Sequence, residues 1–291
     1  MSHKQILPGL LSGLLAASIW GGMYVVSKVV LNVIPPFTLL TLRLILGILS
    51  LGIVIASRPK AKLTGSQAWQ IFGVGFVGYG VSLGFQFVGT KLSTASNGAL
   101  VTSATPAFIL IFAPFLLAER TTPRRIIALI ISTLGVLAVI DPRNAELSPS
   151  LFWGNLSLLA AALTWALYSV LVRKVTQTAD VVTSTTIMLA GGLPSGFLLS
   201  AWEIKSQAIG TITIGIIGGI LFLGIISTAI AMFLWNYAFA ELPAALASLT
   251  FFAQPVVGSL LGWMFLKETI TPLFLLGGAL IGIGLAISST G

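Results

Sequence analysis

Cysteine is absent from this chain of 291 residues, and histidine occurs once, as His3. Disulfides and Cys-ligated metals are therefore excluded, and a zinc site or a His-based catalytic triad has no residues to build it. Acidic residues number only seven, and charged residues of both signs make up 8% of the chain. A soluble domain carries roughly 25%. With 56% of its residues apolar, the chain has more apolar surface than a soluble fold can hide, so lipid is its solvent. The Gly-rich run from Gly73 to Gly84 lacks a Gly-Lys-Ser/Thr ending, so there is no P-loop and no ATP hydrolysis by this chain. No Asp or Glu falls in the middle of an apolar run. A buried carboxylate of the kind that carries protons in coupled exporters is thus missing. Nothing in the chain calls for a cofactor or a metal. The net charge of +8 does not point to nucleic acid, because the basic residues sit in short loops between apolar runs.

What is present is a succession of apolar runs. A membrane-spanning helix needs about 20 apolar residues. Ten runs qualify as candidates: 8–31, 36–56, 67–89, 94–117, 123–140, 151–173, 181–202, 211–238, 243–266 and 272–289. The expected fold is an all-α integral membrane protein of ten transmembrane helices. The first run is longer than a signal-peptide core and reads as an uncleaved span. With the N-terminus inside, nine basic residues fall on the inner side, Lys4, Arg58 and Arg173 among them. Five fall outside: Lys28, Lys91, Arg143, Lys205 and Lys267. The positive-inside rule then places both termini in the cytoplasm.

The last third of each half repeats. Pro106, Glu119, Thr122, Pro123 and Gly135 recur 149 positions on as Pro255, Glu268, Thr271, Pro272 and Gly284. Proline and glutamate are scarce here, so their common register outweighs chance matches between apolar residues. The chain divides into residues 1–145, with helices 1–5, and residues 146–291, with helices 6–10. Five is odd, so the second copy enters the membrane inverted. Inverted repeats place a binding site near the midplane between the halves. Glycines at four-residue spacing, such as Gly9/Gly13, Gly192/Gly196 and Gly278/Gly282, suit close helix approach in lipid.

The pattern Pro106…Glu119-x-x-Thr122-Pro123…Gly135, its second copy, the ten helices, Trp20-Gly21 and Arg43 together resemble the EamA-type branch of the drug/metabolite transporter superfamily. Within it, the chain is similar to bacterial exporters of aromatic and other amino acids. The resemblance implies a ten-helix efflux carrier of the inner membrane, embedded in the bilayer, with a small-molecule substrate.

Helical periodicity and polarity nominate a substrate site. Trp20 and Tyr24 share a face of helix 1, and Tyr79, Ser82 and Gln86 share one of helix 3. Helix 6 offers Trp165 and Tyr168, and helix 8 offers Thr228 and Trp235. Helices 4 and 9 add Asn97, Ser103, Phe252 and Gln254. Together these form an aromatic, charge-neutral lining, which suits a zwitterion. Pro106 and Pro255 sit mid-helix as paired hinges or kinks. Glu119 and Glu268 end helices 4 and 9 at opposite faces, as structural caps or as members of gate ion pairs. Arg43, inside helix 2, reads as a structural cation or as the counter-ion of a substrate carboxylate. Trp69, Trp153, Trp202 and Trp263 fall at helix ends as interfacial belt residues. The leading expectation is a secondary exporter of amino acids and related metabolites. The alternatives are a multidrug or organic cation exporter and a nucleotide-sugar or phosphometabolite exchanger. A membrane-embedded enzyme lacks an intramembrane acid, base or nucleophile.

Overall fold

The computed structural model describes residues 3–58, 63–93, 95–120, 122–140, 151–177, 179–266 and 272–289. Glu268 and Thr271 of the repeat lie outside the described residues. No strand occurs among the described residues. The helices of the first half are α1 (His3–Leu31), α2 (Pro36–Ala56), α3 (Gly65–Leu92), α4 (Ala95–Thr102), α5 (Thr105–Leu117) and α6 (Pro123–Ile140). Those of the second are α7 (Phe152–Val175), α8 (Val181–Glu203), α9 (Ile214–Glu241), α10 (Ala244–Leu249), α11 (Ala253–Leu266) and α12 (Pro272–Ser289). Among the described residues, seven helical stretches are long and apolar enough to cross a membrane: α1, α2, α3, α4–α5, α7, α8 and α9. Shorter apolar helices lie at Ala244–Gly258 and Leu275–Ser288. The protein is a multi-pass membrane protein.

Local chemistry sets the helix ends. Thr64 and Gln67 form a capping box at the start of α3, and the Asp180 carboxylate accepts from the Thr183 N–H to open α8. Ala118 is left-handed, with φ 53°, and stops α5 one residue before Glu119.

The end of the bundle where α1 finishes is called here the upper face, and the opposite end the lower. At the upper face Glu203, the last residue of α8, is buried and caps α2. Its Oε2 accepts from the N–H groups of Phe37 (2.9 Å) and Thr38 (3.0 Å). These donors lie in the first helical turn and have no partner within the helix. Glu203→Ala leaves them bare and is expected to cost ~2 kcal/mol of stability. Glu203→Gln keeps an acceptor and should lose about half of that. Unfolding midpoints in detergent check both, and a Glu203→Ala midpoint equal to wild type would refute the capping role.

Packing is reciprocal between the halves. α1 lies against α9 and α11, and α7 lies against α3 and α5. α2 packs on α8 and α9, α8 packs on α2 and α3, and α6 runs beside α12. Two irregularities also come in pairs. α3 widens into a π-helix over Phe76–Ser82, and α9 does so over Phe222–Ile230. Such segments are rare and cluster at functional sites. The second pair is a break. The helix interrupts between α4 and α5, and again at the 3₁₀ turn Thr250–Phe252 before α11. Pro106 and Pro255 each stand just past one of these breaks, in the first turn of α5 and of α11, and each removes one backbone hydrogen bond there.

The glycine pairs separate. Gly9 and Gly13 abut Leu242 and Thr250, and Gly192 and Gly196 abut Tyr79 and Thr41, so these four let helices approach. Gly278 and Gly282 meet nothing within 4 Å among the described residues. Trp69, Trp153 and Trp202 are exposed at helix ends, 72%, 70% and 66% respectively, as an interfacial belt requires.

Candidate functional site

A cavity lies between the halves, with walls from both. α1 contributes Trp20 and Met23, and α3 contributes Ser82, Leu83 and Gln86. Thr102 and Thr105 flank the α4–α5 break, and α7 adds Ala161, Ala162 and Trp165. Met232 of α9, Phe251 of the 3₁₀ turn and Gln254 of α11 complete it. None of these residues is charged. The cavity, with its mouth, encloses about 370 Å³ free of protein atoms.

Aromatic packing fixes the wall. Trp20 stands edge-on to Trp165, with ring centroids 5.6 Å apart, and its Nε1 donates to the Ser227 carbonyl at 3.0 Å. Trp235 packs behind Trp20 at 5.3 Å and donates from Nε1 to Ser169 Oγ. Tyr168 lies 4.7 Å from Trp165. T-shaped and tilted pairs of this kind are worth ~1 kcal/mol each beyond burial.

Of the expected site residues, Trp20, Ser82, Gln86, Trp165 and Gln254 line the cavity. Tyr24 stands just behind, and its hydroxyl joins Thr102 Oγ1 (2.9 Å) and Gln86 Nε2 (2.9 Å). Tyr79 and Tyr168 do not offer their hydroxyls to the cavity. The two hydroxyls bond each other, Tyr168 donates to Asn236 Oδ1, and Asn236 Nδ2 donates to Tyr79 and to Thr185. A buried hydroxyl in lipid needs a partner, and this network, which ties α3, α7, α8 and α9, supplies it. Thr228 is taken up by Arg43, whose Nε donates to Thr228 Oγ1 at 2.7 Å. Trp235 forms the second layer. Phe252 points the other way, into a small cluster with Ala128, Val136, Leu249 and Ile281, and its neighbour Phe251 faces the cavity instead. The 3₁₀ turn advances 120° per residue, so the α-helical face assignment slips there. Asn97 donates to Ser93 Oγ and Asn155 Oδ1 at the upper face, and Ser103 is buried at the helix break without lining the cavity.

Met23, Thr102, Thr105 and Phe251 also line the cavity and are not among the residues nominated from the sequence. Met23 is recoverable from periodicity, being three positions beyond Trp20 on the same face. Arg43 is fully buried. Besides Thr228 it reaches Ser227 and Met23, and its guanidinium lies 5.1 Å from the centroid of the Phe87 ring. Its partners among the described residues are neutral, and it stands outside the cavity lining.

Basic residues hold backbone carbonyls at both faces. At the upper face, Lys28 Nζ donates to the carbonyls of Thr90 (2.9 Å), Lys91 (3.1 Å) and Ser93 (2.6 Å). At the lower face, Arg173 Nη1 donates to those of Phe239 (3.1 Å) and Ala240 (3.3 Å). Phe239 and Ala240 follow Thr90 and Lys91 by the 149 residues of the repeat. Arg173 also pairs with Glu119 at 2.5 Å, and Glu119 Oε2 accepts from the Ala244 N–H at 2.9 Å.

Comparison with known proteins agrees with this architecture. A solved structure superimposes with a TM-score of 0.81 over 97% of this chain and 96% of its own, at 22% identity. The Salmonella typhimurium probable amino-acid metabolite efflux pump is 28% identical over 293 residues, covering 96% of this chain and 93% of that protein. The Bacillus subtilis uncharacterized transporter YoaV is 24% identical over 280 residues, 93% of each. The EamA-like transporter family matches residues 7–140 and, separately, 152–290. The chain belongs to the EamA-like transporter family.

Proposed function

We propose that this protein is a secondary transporter that exports amino acids and related small metabolites across the inner membrane. It works by alternating access between two inverted five-helix halves, residues 1–145 and 146–291, with both termini cytoplasmic. The observation that carries this reading is the neutral, aromatic-walled cavity built by helices from both halves. Further support comes from the reciprocal packing, the paired π-segments and helix breaks, and a family match to each half. The lower face, with Arg173 and Glu119, is the cytoplasmic one in this scheme, because α1 begins there. A phosphorylated substrate would need cations in the cavity, and its lining has none.

Efflux from proteoliposomes loaded with a panel of amino acids tests the proposal. At least one should leave tenfold faster than from protein-free vesicles. Equal leakage for the whole panel overturns it. Within the same assay, Trp20→Ala removes three ring contacts at the cavity wall. It should cut transport about tenfold or more. Trp69→Ala, at the exposed end of α3, should stay within twofold of wild type.

A further inference from the structure

Two charged side chains are buried among the described residues, and they are served differently. Glu203 lies at the upper face and accepts from two backbone N–H groups. Arg43 lies deep in the bundle and meets no acid among the described residues. Its Nε donates to Thr228 Oγ1 at 2.7 Å, and its Nη2 reaches the Ser227 carbonyl and hydroxyl at 3.5 Å. Its Nη1 has the Met23 sulfur at 3.9 Å, and the Phe87 ring lies 5.1 Å away. A guanidinium keeps its charge inside a protein, and burying a charge without a counter-charge is costly. A neutral side chain would tie α2 to α9 at lower cost, so the charge itself needs a reason.

Its place supplies one. Met23, in contact with Nη1, lines the cavity. Trp20, another lining residue, shares the Ser227 carbonyl with Arg43. The π-segment of α9 frees that carbonyl, because the Ala231 N–H bonds the Ile226 carbonyl, five residues back, instead of Ser227. Arg43 thus stands one side chain behind the wall of a cavity whose own lining is uncharged. It is fully covered and touches nothing that enters, but its field passes through the wall. A unit charge about 8 Å away, at an effective dielectric of about 20, alters the binding of a charged ligand more than tenfold. The aromatic wall alone would attract organic cations through its ring faces. A fixed positive charge behind it opposes that attraction.

Resting on the transport reading above, we propose that Arg43 sets the charge selectivity of the cavity, repelling ligands of net positive charge and admitting neutral or singly anionic ones. A buried arginine acts here as an electrostatic barrier to cations. This role differs from that of a counter-ion, which would touch a carboxylate. It differs also from that of a structural tie, whose loss would affect ligands of every charge alike.

The test uses the full chain in proteoliposomes and three probes on one scaffold. Phenylalanine is net neutral, 4-carboxyphenylalanine carries one net negative charge, and 4-(aminomethyl)phenylalanine carries one net positive charge. The wild type should move the carboxy probe at least tenfold faster than the aminomethyl probe. Arg43→Met should bring the two within about twofold, chiefly by speeding the aminomethyl probe. Arg43→Lys keeps the charge and should keep most of the preference. Arg43→Met is expected to fold, because Thr228 Oγ1 retains the Leu223 carbonyl and the Ser227 carbonyl retains Trp20. Arg43→Gln is a second neutral variant in case it does not. Equal flux or equal rejection of the two charged probes by the wild type overturns the filter. So does a wild-type preference in the folded neutral variants, or its loss in Arg43→Lys as complete as in Arg43→Met. Each of these leaves the export reading standing. A wild type that moves no amino acid at all overturns that reading as well.

Discussion

Gly75→Ala is expected to yield little folded protein, while Gly73→Ala, two residues away on the same helix, behaves as wild type. The difference lies in what a methyl group would meet. A Cβ on Gly75 would sit 1.9 Å from the Met188 carbonyl oxygen and 2.4 Å from its Cα. Both are backbone atoms of α8, so no rotamer change relieves the overlap. A Cβ on Gly73 meets nothing within 4 Å. The crossing is also reciprocal, because a Cβ on Gly191 of α8 would sit 2.1 Å from the Phe72 carbonyl. In lipid, helix association rests on such close packing rather than on exclusion of water. Forcing α3 and α8 apart should cost ~3 kcal/mol. It also displaces Ser82 and Gln86, which α3 carries into the cavity. Gly73→Ala should stay within about 0.5 kcal/mol. Membrane yield and unfolding midpoints measure the pair, and a Gly75→Ala protein as stable as Gly73→Ala would refute the crossing.

That crossing shows where sequence reasoning ends. Apolar runs place the helices well, because lipid demands uninterrupted backbone hydrogen bonding over a known thickness. The run at 36–56 is α2, and that at 123–140 is α6. Glycine spacing says that helices approach but not which ones, and Gly75 belongs to none of the four-residue pairs. The π-segments are invisible for a related reason. Residue identity does not announce a change from α to π, yet the change rotates every later side chain on the helix. Trp20 and Trp165 are legible because large aromatics deep inside otherwise aliphatic spans need a purpose. Tyr79, Tyr168 and Thr228 mislead for the opposite reason. Their hydroxyls are as well suited to satisfying Asn236 or Arg43 as to greeting a substrate, and only three-dimensional neighbours decide. Phe251 and Phe252 are adjacent and chemically identical, so the 3₁₀ turn alone selects which one faces the cavity.

Glu119→Gln and Arg173→Ala should each lower transport about tenfold or more while leaving the protein folded. One cluster joins three parts of the lower face: the end of α5, the end of α7 and the α9–α10 connection. Glu119 Oε1 takes the Arg173 Nε, Glu119 Oε2 takes the Ala244 N–H, and Arg173 Nη1 holds the Phe239 and Ala240 carbonyls. Charge-assisted bonds of this kind contribute ~2 kcal/mol. Under alternating access they favour the state in which the lower ends are together. Losing them shifts the ratio of the two states by roughly thirtyfold. Because the chain has no cysteine, Ala162→Cys provides a single reporter in the cavity wall. Its labelling by a membrane-impermeant maleimide from the lower face should speed up in both variants. Exchanging the charges, Glu119→Arg with Arg173→Glu, should not restore transport. It would set a guanidinium against the Ala244 N–H, where an acceptor is required, and a carboxylate against the Phe239 and Ala240 carbonyls, where a donor is required. The cluster is polar in a fixed direction, set by the exposed carbonyls at the end of α9 and the free N–H at the start of α10. A charge exchange that restores wild-type flux, or unchanged flux and labelling in both single variants, would show that these residues do not gate the lower face.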